Sequence, residues 1–538
     1  MRIPGLLLAI VVLLLAVPSA SFTLPSARKR ASVSIVSEST RNEFSTLEAQ
    51  QLEDEATTSI AVAGDMGDTL SSTFTTEEST EAAELTIHEW KEKRQTPIGD
   101  EEQAVDIMRD LDGNTLAPAY FQNTMKLPHV ESYTCPEKDA FRGFMSNACR
   151  VYLHPGGETA FYKRIAFEDI DHCQEKLKHA PHKLIRDAKS CQVVASWLTS
   201  KACRDLCETT GVHIPEVYDA QLAASKSDPM ESKFTFLLED FNPSNGWKQT
   251  WLLDDLEATK ATLTTYAKIH AYFWTGSEFY NDQQAADELE AGIWKSGSYV
   301  QPEAQNWNQC LKVKSEWAIK KLKFERHLSK LDFYDNLGER LESVAQECGR
   351  LAHPFADDKG PFAEDEDLSH AYRKYRTFTH GDPKQANLFF RTREHELPEV
   401  GLVDFQWSGF GLASTDLAHF LTSAVYADLL VDGGEDKLCQ YYYKELCKYR
   451  VEYGGFKSLE EARQDFPYAT LVEQYETAVL DLCRLMIAYT WARFTEPVAA
   501  NDEDAKARTM NKTSYNKSIP NVVWLLSKCD EILKSRGV

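Results

Sequence analysis

Positive charge is scarce in this chain. Its 59 lysines and arginines face 83 aspartates and glutamates over 538 residues, a net charge of −24. Such an acidic balance disfavours nonspecific binding to nucleic acid or to anionic lipid. Long apolar runs are also lacking: the stretch Leu6–Val17 holds twelve residues, too few for a comfortable membrane span, so no stable anchor is expected after processing. The twelve cysteines show no CxxC and no compact pairing pattern. A thiolate zinc site and a small disulfide-stapled domain are therefore not indicated, and reduced thiols are expected. No internal repeat is present.

The first 112 residues divide by composition. Arg2, the apolar run and Ser19-Ala-Ser21 read as a signal peptide over 1–21. Residues 22–42 follow with serines and basic residues and no acid before Glu38. The pattern Ser19-Ala-Ser-Phe22 resembles the Ala-Ser-Ala-Phe junction of bipartite plastid presequences in algae with secondary plastids. Plastid import is the expected address, with secretion the alternative; the sequons at Asn511 and Asn516 matter only for a chain folded in the secretory lumen. Residues 43–112 are rich in Glu, Asp, Thr and Ser and read as a disordered acidic linker, with folding expected to begin near Thr115.

The chemistry-bearing stretch is Phe378-Thr-His-Gly-Asp-Pro-Lys-Gln-Ala-Asn-Leu-Phe-Phe390, followed by Gly401-Leu-Val-Asp-Phe-Gln406. Asp382 is spaced to orient a hydroxyl group. Asn387 and Asp404 offer two oxygens for a magnesium ion that takes its other ligands from phosphate and water. Leu388–Phe390 and Val400–Val403 read as strands of a hairpin that brings Asn387 and Asp404 to one end. A lone histidine beside apolar residues is more often a structural hydrogen bonder than a base, so His380 is assigned to support.

These residues resemble the choline-kinase-like and ecdysteroid-kinase-like proteins, relatives of the aminoglycoside phosphotransferases. Phe236-Leu-Leu-Glu-Asp240, Ile269-His-Ala-Tyr-Phe-Trp274 and Ser414-Thr-Asp-Leu-Ala-His-Phe-Leu421 are similar to further motifs of that family. The resemblance covers about residues 113–530 and is stronger in the second half. It implies an α+β, two-lobed protein-kinase-like fold. Residues 113–245 would form a small antiparallel-sheet N-lobe that binds nucleotide. Residues 246–538 would form a large, mainly helical C-lobe that carries catalysis and acceptor binding. It implies ATP and Mg2+ as cofactors, a small-molecule hydroxyl acceptor as partner, and Asp416 as a brace of the catalytic loop. It says nothing of the oligomeric state.

The nucleotide half is read less directly. Gly143 and Ser146 sit where backbone N–H groups would approach phosphates, although one glycine fits an ordinary hairpin turn as well. Glu158–Ile165 alternates as a strand; Lys163 would hold phosphates while Arg164 faces the other way. Glu239 falls on the expected hinge. The family's helical glutamate, partner of that lysine, is missing: Val194 stands at the aligned position, and Glu175, Asp187 and Glu208 are the possible substitutes. The expected acceptor pocket lies near Trp274 and Trp407. The expected activity is ATP-dependent transfer to an alcohol group; the alternatives are a pseudokinase and a protein kinase. The eleven residues between Asp404 and Asp416 leave little room for the activation segment a protein kinase needs.

Overall fold

The computed structural model describes residues 103–538 except 105, 143–145, 171–172, 174–180, 224, 226–230, 302–306, 358–365, 393–395 and 494–517. The signal peptide, the transit segment, most of the linker, Gly143 and Glu175 therefore lie outside the described residues.

Strict alternation builds the first lobe. In β3 (Asn147–His154) and β4 (Thr159–Ala166) buried and half-buried positions alternate over most of each strand, as strand geometry requires. With β1 (Ser132–Thr134), β2 (Ala140–Arg142), β5 (Val217–Ala223) and β6 (Lys233–Glu239) they form a six-stranded sheet in the order β1-β3-β4-β6-β5, β2 pairing with β3. All its pairings are antiparallel. One face (Val151, Leu153, Tyr162 and Leu237) packs on Phe121, Ile107 and Met108. On the other, Phe234 and Phe236 join the core that includes Trp197 of α1 (Pro181–Thr199).

Two expectations change here. Ala104, Ile107 and Met108 are buried, and Gln103 bridges to Pro136 and accepts the Cys135 N–H at 2.8 Å through its amide oxygen, so ordered packing starts about ten residues before Thr115. Three apolar side chains in an acidic stretch suffice because the sheet offers them a ready face. Cys135 and Cys149 form a disulfide, against the expectation of reduced thiols throughout. Antiparallel pairing brings them together without any sequence motif. The other ten cysteines are free, nine of them buried.

Beyond β6 the chain crosses the short turn Pro243–Asn245, with Gly246 at φ +85°, and enters a second sheet through β7 (Trp247–Lys248). That sheet has the order β10-β9-β7, with β9 at Leu388–Arg391 and β10 at Glu399–Leu402. A two-stranded ribbon pairs β8 (Arg376–Thr379) with β11 (Gly409–Leu412). Helices dominate the rest: α2 (Lys201–Thr210), α3 (Leu256–Tyr272), α4 (Leu337–Ala352), α5 (Ala413–Ser423), α6 (Gly434–Glu452), α7 (Tyr468–Ala488) and α8 (Ile519–Ser535). Every residue of α5 is buried. A helix apolar or satisfied on all sides belongs at the centre of a lobe, and its position there fixes the ribbon and the loop between β8 and β9. Trp274, which reads from the sequence as readily as core as pocket wall, is core: it packs on Phe466 at 5.1 Å and under the Arg450 guanidinium at 4.2 Å.

Candidate active site

The hairpin register decides the site. Leu388 pairs with Leu402 at its open end, and Val403 N–H donates to the Asn387 carbonyl at 3.1 Å. Asn387, immediately before β9, and Asp404, just after β10, thus leave the sheet side by side. Asp404 has φ +67°, a left-handed conformation that Asp tolerates better than most residues and that often marks a functional turn.

The loop before the hairpin is held by its backbone. Asp416 of α5 is 1% exposed. Its two oxygens accept the N–H groups of His380 (2.7 Å) and Gly381 (2.9 Å). His270 of α3 meets the same carboxylate at 3.2 Å and Tyr442 of α6 at 2.7 Å. Burial raises the Asp416 carboxyl pKa, but His270, His380 and the Gly381 N–H more than offset this and hold it below the usual range. Gly381 has φ +82°, and a Cβ there would lie 2.2 Å from the Trp407 carbonyl oxygen. Only glycine fits.

His380 is buried, which lowers its pKa. Its Nε2–H donates to the Val403 carbonyl at 3.0 Å, and its Nδ1 accepts the Asp382 N–H at 3.3 Å. One neutral tautomer satisfies both. The ring links the backbone of Asp382 to the residue before Asp404.

Asp382 is 3% exposed. Its Oδ2 accepts from the Lys384 ammonium at 2.5 Å, and His419 of α5 stands 3.5 Å from Oδ1. Burial pushes this carboxyl up; the Lys384 ammonium, through its charge and hydrogen bond and with His419 adding to it, outweighs this and leaves the pKa lowered. The group is therefore an ionised acceptor at neutral pH. Asn387 Nδ2 donates to the Asp382 carbonyl at 2.8 Å, which leaves its amide oxygen as the end able to take a cation. One charged and one amide oxygen, side by side, suit Mg2+ with phosphate and water completing its shell. Among the described residues no cluster of three or more His, Cys, Asp or Glu is arranged around a metal position.

Lys163 lies in β4 opposite Phe236 of β6, on the face that α1 covers. Cys191 of α1 lies near it, its thiol pushed up to about 12 by burial, with the charges of Lys163, Asp187 and Asp404 acting on it as well. Val194, at the aligned position, is buried in the core instead. Asp187 lies one turn before Cys191 and pairs with Arg186 at 3.0 Å, and Glu208 lies on α2 near Cys207. Ser146, half-buried, immediately precedes β3. The Glu239 carboxylate is taken up by His213 at 2.9 Å, whose other nitrogen meets Glu399 at 2.7 Å. The carboxylate works as a clasp between β6 and β10.

Lys384, His419 and Cys191 were not singled out by sequence reasoning. Lys384 was legible as a cation two residues after Asp382. His419 lies three residues after Asp416, hence on the same side of a helix.

Residues 206–453 match the model of the ecdysteroid kinase-like family. That segment, less than half of the chain, is similar to the family. It carries Glu239, Asp382, Asn387, Asp404 and Asp416, whereas Lys163 and Ser146 precede it. No curated protein matches the chain. Among solved structures, a microcompartment-associated aminopropanol kinase is similar at 11% identity over 77% of this chain and 97% of that one, with a TM-score of 0.35. A Plasmodium vivax ethanolamine kinase shows 10% identity over 86% and 98%, with a TM-score of 0.35. An aminoglycoside phosphotransferase from Alicyclobacillus acidocaldarius shows 14% identity over 78% and 97%, with a TM-score of 0.35. The resemblance expected of the sequence holds over that segment, and the α+β class holds in an antiparallel sheet with a helical majority.

Proposed function

We propose that this chain transfers the γ-phosphate of ATP to a hydroxyl group of a small molecule. The observation that carries the reading is the convergence of Asp382, Asn387 and Asp404 at one end of a hairpin, with Asp416 bracing the loop between them from behind. Its ionised carboxylate lets Asp382 accept the acceptor's O–H and align the oxygen with phosphorus. Lys384 sits beside that carboxylate and offsets negative charge where the phosphoryl group would pass. Asn387 and Asp404 would hold Mg2+, which supplies neutralisation of the phosphate oxygens when bound. Lys163 would steady the nucleotide phosphates, and Ser146 and Gly143 would lie over them.

A peptide acceptor is disfavoured. Of the eleven residues between Asp404 and Asp416, Gly409–Leu412 are already paired with β8, so an extended substrate has little chain to lie on. A pseudokinase is the second reading, favoured by the apolar, buried Val194 at the position where the helical glutamate aligns. The test is labelled-phosphate transfer from Mg-ATP across a metabolite library. A labelled product made by the native protein and absent with Asp382→Asn supports transfer; equal labelling by both, or none by either, favours the pseudokinase.

We also propose import into a secondary plastid. Its support is the compositional change at Phe22. A fluorescent fusion of residues 1–42 that is secreted would refute it.

A further inference from the structure

A carboxylate that receives a hydroxyl must present one defined lone pair. Asp382 Oδ2 already accepts from Lys384 at 2.5 Å and faces Asn387 Nδ2 at 3.4 Å. Oδ1 is left to receive the acceptor, and the group next to Oδ1 is His419 Nε2 at 3.5 Å. His419 is 2% exposed. It shares α5 with Asp416, so one helix fixes the backbone of the loop through Asp416 and reaches its carboxylate through His419.

The imidazole lines a small internal cavity, with room for about one water molecule, whose wall mixes Ser298, Thr415, His353 and Asp481 with apolar Val300, Ala352, Ala478 and Leu482. Asp481 is itself fully engaged: Arg484 donates to Oδ1 at 2.7 Å and His353 meets Oδ2 at 3.0 Å. The ring thus stands between the reacting carboxylate and this cavity.

We propose that His419 is a positioning residue, donating Nε2–H to Asp382 Oδ1 so that the carboxylate's remaining lone pair faces the acceptor hydroxyl. The assignment rests on the phosphotransfer reading for its purpose and on the buried geometry for its existence. Burial lowers the His419 pKa to about 4, which agrees with a neutral ring holding a single proton.

Two experiments test it. The first measures turnover of Mg-ATP, with the acceptor found by library screening or with water as acceptor, in native protein, Asp382→Asn, His419→Phe and His419→Gln. His419→Phe keeps the ring's bulk and loses the donor; kcat should fall about 10- to 100-fold with the KM for ATP within about twofold. His419→Gln keeps an N–H and should recover most of that loss. A His419→Phe protein that keeps native kcat, or a folded His419→Gln no better than His419→Phe, overturns the proposal. Should Asp382→Asn itself leave turnover unchanged, the phosphotransfer reading fails instead. The second experiment is independent of turnover: 15N-histidine NMR should show His419 as the neutral Nε2–H tautomer from pH 8 to pH 5, perturbed in Asp382→Ala. A His419 that titrates near its ordinary pKa, or that carries its proton on Nδ1, overturns the proposal even if no acceptor is found.

Discussion

Replacing Asp416 should damage the fold and the chemistry together. The carboxylate accepts two backbone N–H groups at 2.7 and 2.9 Å and meets His270 at 3.2 Å. It is 1% exposed, so water cannot take its place. Asp416→Ala leaves two buried N–H groups without an acceptor, at about 1–3 kcal/mol each. Small relief from removing a buried charge offsets part of this, for a net loss of about 2–5 kcal/mol. That is a large share of the 5–15 kcal/mol typical of a folded domain. Asp416→Asn keeps one acceptor oxygen but turns an amide N–H towards a backbone N–H, and should lose about half as much. Urea unfolding of native and variant proteins reads the difference from the midpoint at constant slope. Because the freed N–H groups belong to His380 and Gly381, kcat should fall about 100-fold or more in any Asp416→Ala protein that still folds. A loss below about 1 kcal/mol with native kcat would refute the bracing role.

Four further outcomes follow from the same geometry. Lys384→Met removes the nearest cation from Asp382, whose pKa is held down against burial; the carboxylate pKa should rise and the acid limb of the pH–rate profile should move to higher pH, while an unmoved limb would contradict the pairing. Gly381→Ala places a Cβ 2.2 Å from a backbone oxygen at φ +82° and should cost at least about 2 kcal/mol, measured by thermal unfolding. Burial lowers the His213 pKa, but Glu239 and Glu399 together leave it raised; a raised folded pKa means its stabilisation is full below the unfolded value near 6.5 and fades as pH climbs through the folded value. The gap in urea midpoint between native and His213→Gln should therefore be widest near pH 5.5 and narrow towards pH 8, modest throughout because the clasp is partly solvent-screened. Asn387→Ala and Asp404→Asn should each weaken Mg2+-dependent nucleotide binding about tenfold or more in calorimetry, with little change in metal-free binding.

Much of this arrangement was legible beforehand because it is local. Asn387 and Asp404 adjoin two short strands with turn residues between, so a hairpin alone sets them side by side. Lys163 and Arg164 part to opposite faces because strands alternate. What escaped depends on the register between distant elements. Which residue of α1 faces Lys163 is set by where that helix lies on the sheet, and no local pattern encodes that. The Cys135–Cys149 bridge joins residues that only strand pairing makes neighbours. Trp274 reads equally well as pocket wall or core until Arg450 and Phe466, far along the chain, are seen against it. Ile107 and Met108 lie in an acidic stretch whose composition hides three anchoring side chains.

The central claim is that Asn387 and Asp404 share one divalent cation beside Asp382. The most direct measurement is anomalous diffraction from crystals grown with Mn2+ and a non-hydrolysable ATP analogue. The account requires a manganese peak at about 2.0–2.3 Å from both the Asn387 amide oxygen and an Asp404 carboxylate oxygen, with the γ-phosphate beside Asp382. A nucleotide bound in the cleft with no metal between these two residues, or a metal held by other side chains, would contradict it.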